Sequence, residues 1–220
     1  VVIGLVLGGL YALLAQGFVL TFIATRTLNF ALGEFIALGA LVGVAASSWD
    51  WLPSPGRVAV ASLVAAVTGA LVYRLFVLPF TTQGEHDVRW LLSTVAISFV
   101  LLNLMTNVEG PSPQRSELAR VDGTSTILGA GVSRQQLLIA LLAVAVTVLL
   151  VLVTRRTGAG LMMRAVSQDP ETASLMGVSP RVVGAGTYLV AMGLAGLAGV
   201  LYSAVVGASP VMGQPLLVAS

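Results

Sequence analysis

The chain lacks cysteine and lysine, and all eleven of its basic residues are arginine. Without cysteine it has no disulfide scaffold, thiolate metal site or cysteine nucleophile. Without lysine it has neither a Walker-type phosphate-binding loop nor a Schiff-base lysine. Its single histidine leaves little from which to build a zinc or haem site. We therefore predict no catalytic residue, metal site or cofactor, and energy for any work must come from a partner or an ion gradient.

Charge of either sign is also scarce. Charged residues make up 9% of the 220 residues, hydrophobic residues make up 57%, and the mean hydropathy is +0.98. Soluble domains carry about 25% charged residues, so this chain has too little polar surface to cover a water-facing globule. The net charge of +2 is too small and too dispersed to predict nucleic-acid binding. The composition predicts a protein solvated mainly by lipid.

Long runs with at most one charged residue predict the membrane segments, because about 20 apolar residues cross the hydrocarbon as a helix. Pro210 and Pro215 break the last run after about one crossing. We predict an all-α, polytopic transmembrane helix bundle with about six spans and the start of a further membrane segment, forming one domain over residues 1–220. Since the chain begins with Val and stops in an apolar run, we expect a longer protein to continue at both ends. The six runs are 1–25, 27–49, 58–80, 90–108, 135–154 and the first part of 182–220.

The arginine distribution predicts the orientation. Alternating the six spans places seven arginines on one side and four on the other, and the richer side is expected to be cytoplasmic. The amino-terminal end then lies outside an inner (plasma) membrane, the 109–134 loop is external, and the 154–181 loop is cytoplasmic. The richer group is Arg26, Arg74, Arg89, Arg155, Arg156, Arg164 and Arg181, and the other is Arg57, Arg115, Arg120 and Arg134.

Polar and small residues inside the spans indicate where helices meet. Glu34 is an acid well inside a predicted span, where a charge costs about 2.5–3.5 kcal/mol, so it must face protein, water or a partner or be protonated. Such groups either line a translocation path or tie helices together. The path candidates are Asn29, Gly33, Glu34, Thr94, Ser98 and Asn103. Small residues at every fourth position, which predict close helix packing, are Ala191, Ala195, Gly199, Ser203 and Gly207.

The loop between the fifth and sixth spans predicts a short helix over residues 170 to 176. Asp169 before Pro170 is a typical helix start, and Gly177 is a typical stop. So short a helix is marginal in water. Leu175 and Met176, together with Ala173, supply an apolar contact for a cytosolic partner, or the helix packs as an elbow on its own bundle.

Two stretches resemble the inner-membrane permeases of branched-chain amino acid ABC importers. They are Asn29–Gly39 (NFALGEFIALG) and Arg164–Pro180 (RAVSQDPETASLMGVSP). The first is similar to the permease paralogue with an Asn-Phe-Ala-x-Gly-Glu motif, and the resemblance extends over nearly the whole chain. Leu32 stands where the family often has His or Gln, which argues against a polar substrate contact there.

The resemblance implies an alternating-access importer subunit without enzymatic activity of its own. Helix 170–176 becomes the coupling helix of a cytosolic ABC ATPase, and the other implied partners are a second permease subunit, an extracytoplasmic substrate-binding protein and membrane lipid. The substrate is a branched-chain or related small amino acid, with urea or short-chain amides as an alternative within the family. A gradient-driven carrier or channel is the alternative outside it. The coupling candidates are Arg164, Asp169, Pro170, Glu171, Ala173, Leu175, Met176, Gly177 and Pro180.

Overall fold

A computed structural model of the chain describes residues 2–81, 89–110, 112–114, 123–127 and 130–214. The described residues are mainly helical, and one antiparallel hairpin pairs β1 (Thr124–Ile127) with β2 (Ala130–Ser133). The chain passes from α3 into α4 through a π-helical turn, Tyr73–Val77. The helices are α1 (Val2–Thr25), α2 (Leu32–Ala46), α3 (Ser54–Val72), α4 (Leu78–Thr81), α5 (Arg89–Glu109), α6 (Arg134–Arg156), α7 (Gly158–Gln168), α8 (Pro170–Leu175) and α9 (Pro180–Val206).

Four helical stretches are long and apolar enough to cross a membrane. They are Ser54–Phe80, Arg89–Glu109, Leu137–Arg156 and Pro180–Val206, and shorter apolar helices cover Tyr11–Thr25 and Leu32–Ala46. The predicted helical membrane bundle is therefore confirmed, while the count of about six spans stays a prediction. Helix α2 has 15 residues, and at 1.5 Å per residue it extends about 22 Å, less than the roughly 30 Å of hydrocarbon.

Helix α9 forms the centre of the bundle and packs on α1, α2 and α3. Small residues permit these contacts, as the spacing of four predicts. A Cβ added at Gly39 of α2 would fall on the backbone of Gly196, and one at Gly199 would fall on the carbonyl oxygen of Ile36. Gly207 differs from the other small residues of that series, because it has φ +93° and ends α9.

The segment after α9 turns back towards the bundle. Ala208 pairs with Gln114 through two backbone hydrogen bonds of 2.7 Å each. Beyond the turn, a Cβ added at Gly213 would fall on the carbonyl oxygen of Gly33, so this segment returns to the start of α2. The further membrane segment predicted there is described only as far as residue 214.

The predicted external loop, residues 109–134, contains the β1–β2 hairpin. The strands of this hairpin are held by backbone pairing, which a stretch rich in Gly, Ser and Thr does not reveal by apolar periodicity. The backbone N–H of Arg134 donates to the carbonyl oxygen of Gly123 at 2.9 Å and joins the hairpin to the start of α6. Residues 111, 115–122 and 128–129 of this loop lie outside the described part of the chain.

Candidate functional site

Residues 169–179 form a tight connection, here called the elbow, between α7 and α9. At its start Asp169 adopts an extended conformation, and its carboxylate accepts hydrogen bonds from the backbone N–H of Glu171 at 2.9 Å and of Thr172 at 3.1 Å. The Thr172 hydroxyl also donates to this carboxylate. These hydrogen bonds, the hydroxyl bond first, hold the pKa of Asp169 below its usual value, and the positive charge of Arg26 acts in the same direction. A charged N-cap followed by Pro170 therefore fixes the start of α8.

The other end of the elbow is fixed by Gly177. Its φ of +83° lies in the left-handed region, where glycine is favoured. The N–H of Gly177 donates to the carbonyl of Ser174 at 3.1 Å, and the N–H of Val178 donates to the carbonyl of Ala173 at 3.0 Å. This pair of bonds is a Schellman motif. The predicted stop is confirmed, with Leu175 as the last helical residue and Met176 as the C-cap.

The elbow exposes two large apolar side chains and buries a small one. Leu175 is 87% exposed and Met176 is 81% exposed, whereas Ala173 is 4% exposed. Helix α8 turns Ala173 inward, where it lines the groove between α7 and α8, and its part in the docking contact stays a prediction. Between α7 and α8 lies an open, mainly apolar groove of about 330 Å³ that extends this surface. Its lining includes Leu161, Met162, Ala165, Thr172 and Met176.

Helix α7 connects the elbow to the end of α6. Arg164, predicted as a coupling residue, donates from its guanidinium to the carbonyl of Thr154 in the last turns of α6. A Cβ added at Gly160 would fall on that same carbonyl group. Arg164 thus holds the corner between two helices and is exposed on its outer side. The 154–181 stretch, predicted as a loop with one short helix, is mostly helical because α7 occupies Gly158–Gln168.

The connection between α1 and α2 is a second polar site, and it is buried. The side-chain oxygen of Asn29 accepts from the N–H of Ala31 at 3.0 Å, and its amide donates to the sulfur of Met192 at 3.8 Å. Asn29 is fully buried. The residue therefore starts α2 by an Asx turn and ties that start to the central helix α9.

Glu34 lies in the first turn of α2, beside the approach of Gly213 to Gly33. Its side chain is 3% exposed, and among the described residues its buried Oε2 atom has no hydrogen-bond partner. The positive end of the α2 dipole favours a negative group at this position. The position differs from the expected one inside a continuous 27–49 span, because the chain is not helical between Arg26 and Ala31.

The polar residues of α5 do not share one face. Thr94 is buried, and its hydroxyl donates to the carbonyl of Leu91 at 3.0 Å. Ser98 is half-buried. Asn103 is exposed and bonds its own helix, donating to the carbonyl of Phe99 at 2.8 Å. The structure therefore places Thr94 towards the bundle and Asn103 on its outer surface, and the role of either residue in a translocation path stays a prediction.

Comparison with known proteins gives the family. The family described as "Branched-chain amino acid transport system / permease component" matches residues 1–219. The chain belongs to this family. The match agrees with the resemblance of the two stretches, Asn29–Gly39 and Arg164–Pro180, and with the membrane-spanning helices.

Similar curated proteins include three permeases named as high-affinity branched-chain amino acid transport system permease proteins. LivH of Salmonella typhimurium is 26% identical, LivH of Escherichia coli strain K12 is 27% identical, and BraD of Pseudomonas aeruginosa is 28% identical. Each match spans 210 residues, covering 90% of this chain and 68% of the relative. No solved structure matches.

Sequence reasoning missed two features of this permease. Helix α7 has its own start signal, since the Thr157 side chain accepts from the N–H of Gly160 at 3.3 Å, and Met163 and Val166 bury one face at helical spacing. The second feature is a cleft of about 450 Å³ between α1, α6 and α7. In it Gln16 donates to the hydroxyl of Thr147 at 2.6 Å, a pairing that no local pattern predicts.

Proposed function

We propose that this chain is the membrane-spanning subunit of an ABC importer for branched-chain or related small amino acids, and that a separate cytosolic ATPase drives it through the elbow. The observation that carries the proposal is a helix of six residues, capped at both ends, that presents Leu175 and Met176 almost fully exposed. Family membership supports the transport role, and the names of the similar permeases support the substrate class. The given sequence contains no lysine for a Walker-type loop, which supports an ATPase in a separate chain.

The exposed pair is suited to a protein partner. Burying a large apolar side chain contributes about 1.5–3 kcal/mol, so Leu175 and Met176 together are worth a substantial part of a docking energy. A helix this short gains little from its own hydrogen bonds, but the Asp169 cap and the Gly177 motif hold its shape before any partner arrives. A preorganised contact loses less conformational entropy on binding. The groove between α7 and α8 enlarges the same surface.

Movement of the elbow would reach the centre of the bundle through α9. Only Val178 and Ser179 separate the Gly177 turn from the first residue of α9, Pro180. Helix α9 packs on α1, α2 and α3, so tilting it changes the contacts of three helices at once. In the proposed cycle, ATP binding in the partner shifts the elbow, and the bundle opens alternately to the two sides of the membrane.

The interior path is proposed to pass beside the start of α2. Asn29 and Glu34 are buried polar groups at a helix break, and such breaks within a membrane bundle commonly surround a binding site. Thr94 on the inward face of α5 is a further candidate. The exposed apolar faces of α5 and α6 fit lipid or the second permease subunit. In this arrangement the amino-terminal end lies outside, where an extracytoplasmic binding protein delivers substrate, and the elbow is cytoplasmic.

The variant Leu175→Asp tests the docking role. The variant removes an apolar side chain that the ATPase interface would bury and adds a charge in its place. Binding of the ATPase should weaken by about tenfold or more, since 1.4 kcal/mol corresponds to a factor of ten. The measurement is the affinity of the purified membrane complex for its ATPase, together with ATP-driven uptake of labelled leucine into proteoliposomes. Trp51→Asp is the matched control, because Trp51 is 78% exposed in the connection between α2 and α3.

Two results would contradict the proposal. If Leu175→Asp binds the ATPase and imports leucine as well as the unaltered chain, the elbow is not the docking element. If the unaltered complex accumulates leucine on an ion gradient without ATP, the protein is a gradient-driven carrier.

A further inference from the structure

We propose that Arg26 is a positioning residue that links the elbow to the buried start of α2, so that movement of the elbow is transmitted to Asn29 and Glu34 as well as to α9. This inference rests on the proposed function, because it assigns a second route by which the same elbow acts on the bundle. The linkage is made by hydrogen bonds between elements that are about 140 residues apart in the chain.

Arg26 bonds the end of α7 directly. Its Nη2 atom donates to the carbonyl of Ser167 at 3.1 Å and to the carbonyl of Gln168 at 3.0 Å. These are the last carbonyls of α7, where a cation is favoured by the negative end of the helix dipole. Asp169, the first residue of the elbow, follows immediately and is attracted by the same guanidinium. One arginine therefore neutralises both negative groups at the corner between α7 and α8.

The backbone of Arg26 is held in an unusual conformation. Its φ is +52°, and among the described residues no other non-glycine residue has a positive φ. The position follows the last residue of α1, where glycine is the common occupant of the left-handed conformation. A non-glycine residue persists there only when its surroundings hold it. The two hydrogen bonds of the Arg26 side chain help to hold the residue in this left-handed conformation, and they explain why an arginine stands where glycine is common.

The segment that follows Arg26 is fixed to the interior. Thr27, Asn29 and Ala31 are all buried, and Asn29 is bonded to the N–H of Ala31 and to Met192. Helix α2 begins at Leu32, with Glu34 in its first turn. A displacement of Ser167 and Gln168 would thus be passed by Arg26 into a short, tightly packed segment that ends at the unpartnered carboxylate oxygen of Glu34.

The test compares transport per ATP hydrolysed in the reconstituted complex. In Arg26→Ala the complex should still assemble and hydrolyse ATP, because the exposed face of α8 is unchanged, but leucine imported per ATP should fall. Residues along a coupling route typically alter coupling by roughly two- to thirtyfold, which is the expected range. Arg26→Lys, which keeps the charge and can donate to the same carbonyls, should retain a larger part of the ratio. Arg156→Ala is the control, since it removes an equally exposed arginine from the last turn of α6.

A covalent replacement gives a second measurement, in which the bridged and unbridged forms of one protein are compared. The chain has no cysteine, so Arg26→Cys with Gln168→Cys provides a unique thiol pair. Bridging the pair with a short bifunctional thiol reagent should raise the import per ATP above that of the unbridged protein. The comparison is internal to one inserted protein, so a general loss of activity in the cysteine variant does not affect it.

The linkage is overturned by an unchanged ratio in Arg26→Ala, by equal losses of hydrolysis and uptake, or by a bridged pair no better than the unbridged one. Failure of the proposed function looks different, because the unaltered complex would then show no ATP-dependent import of leucine.

Discussion

Replacing Gly177 tests whether the shape of the elbow, as distinct from its exposed side chains, determines coupling. We expect Gly177→Ala to weaken ATPase binding and ATP-driven uptake while leaving the subunit inserted in the membrane. The expected effect comes from the backbone alone. The φ of +83° at this position is one that L-residues adopt only with strain, so alanine destabilises the turn that ends α8.

The structure allows the size of the effect to be worked out. A Cβ added at Gly177 meets no atom of the described residues within 4 Å, so the substitution introduces no clash with them. The remaining penalty is that of the left-handed conformation, about 1–2 kcal/mol, which corresponds to a factor of roughly 5–30 in an equilibrium constant. If the ATPase binds only the folded elbow, its apparent affinity falls by up to that factor. Asparagine tolerates this conformation better than alanine, and a β-branched residue tolerates it least.

The assay is the affinity of the purified complex for its ATPase across Gly177→Asn, Gly177→Ala and Gly177→Val. We expect binding to weaken in that order. Gly158→Ala is the matched control, because Gly158 also has open space around its Cβ position but has no positive φ. Equal affinities across the series would refute the argument. So would a loss in Gly158→Ala as large as that in Gly177→Ala, because it would show a general sensitivity to changes in this region.

Two further predictions concern the packing of α9 and the cap of α8. Gly39→Ala places its Cβ on the backbone of Gly196, so overpacking should lower stability by about 1–3 kcal/mol, seen as a lower Tm in detergent. Gly8→Ala, whose Cβ meets no atom of the described residues within 4 Å, should not lower the Tm, and a Gly39→Ala protein as stable as the parent would contradict the close approach. Because hydrogen bonds lower the pKa of Asp169 from its ordinary value of 3.8, the charged cap contributes stability above that pH and loses it as the pH falls through the lowered value. The protection of the α8 amides, measured as the exchange rate relative to the intrinsic rate at each pH, should therefore fall on acidification in the parent and not in Asp169→Asn, and identical pH profiles of protection would exclude the carboxylate as the cap.

The two ends of α8 could be predicted from the sequence because the interactions that fix them are local. Asp169 bonds the N–H groups two and three residues ahead, and Gly177 bonds a carbonyl three residues behind. Such short-range bonds depend on residue type and order alone. The burial of Ala173 depends instead on the packing of α8 against its neighbours, so the sequence could not distinguish this residue from Leu175.

The start of α2 shows why the span boundaries were harder to predict. A stretch with few charges indicates where a membrane helix is allowed but not where it breaks. The break before Leu32 is set by the Asx turn of Asn29, a side chain that offers the backbone a partner other than the helix ladder. Asn29 itself, a polar residue in a stretch with few charges, is the feature of the sequence that indicates this break. The outward direction of Asn103 follows from the rotation of α5 within the bundle, which the sequence of this helix does not determine.

The elbow is built as a rigid unit that can transmit a displacement to the bundle by two connections. Helix α8 is bounded by a cap at one end and a Schellman motif at the other. Because hydrogen bonds fix both ends, a displacement of α8 is passed on to its neighbours and not absorbed by a change in its own shape. On one side it continues almost directly into α9, which meets α2 where a Cβ at Gly39 or Gly199 would collide with the facing backbone. On the other side it continues into α7, whose last carbonyls are bonded to Arg26.

Both connections lead to α2. The one through α9 contacts α2 near its middle, and the one through Arg26 reaches the segment just before its start. A partner that moves the elbow would therefore act on α2 at two points, and two points of contact can rotate a helix as well as shift it. Glu34 lies between those points, so a rotation of α2 would move its buried carboxylate relative to the neighbouring helices.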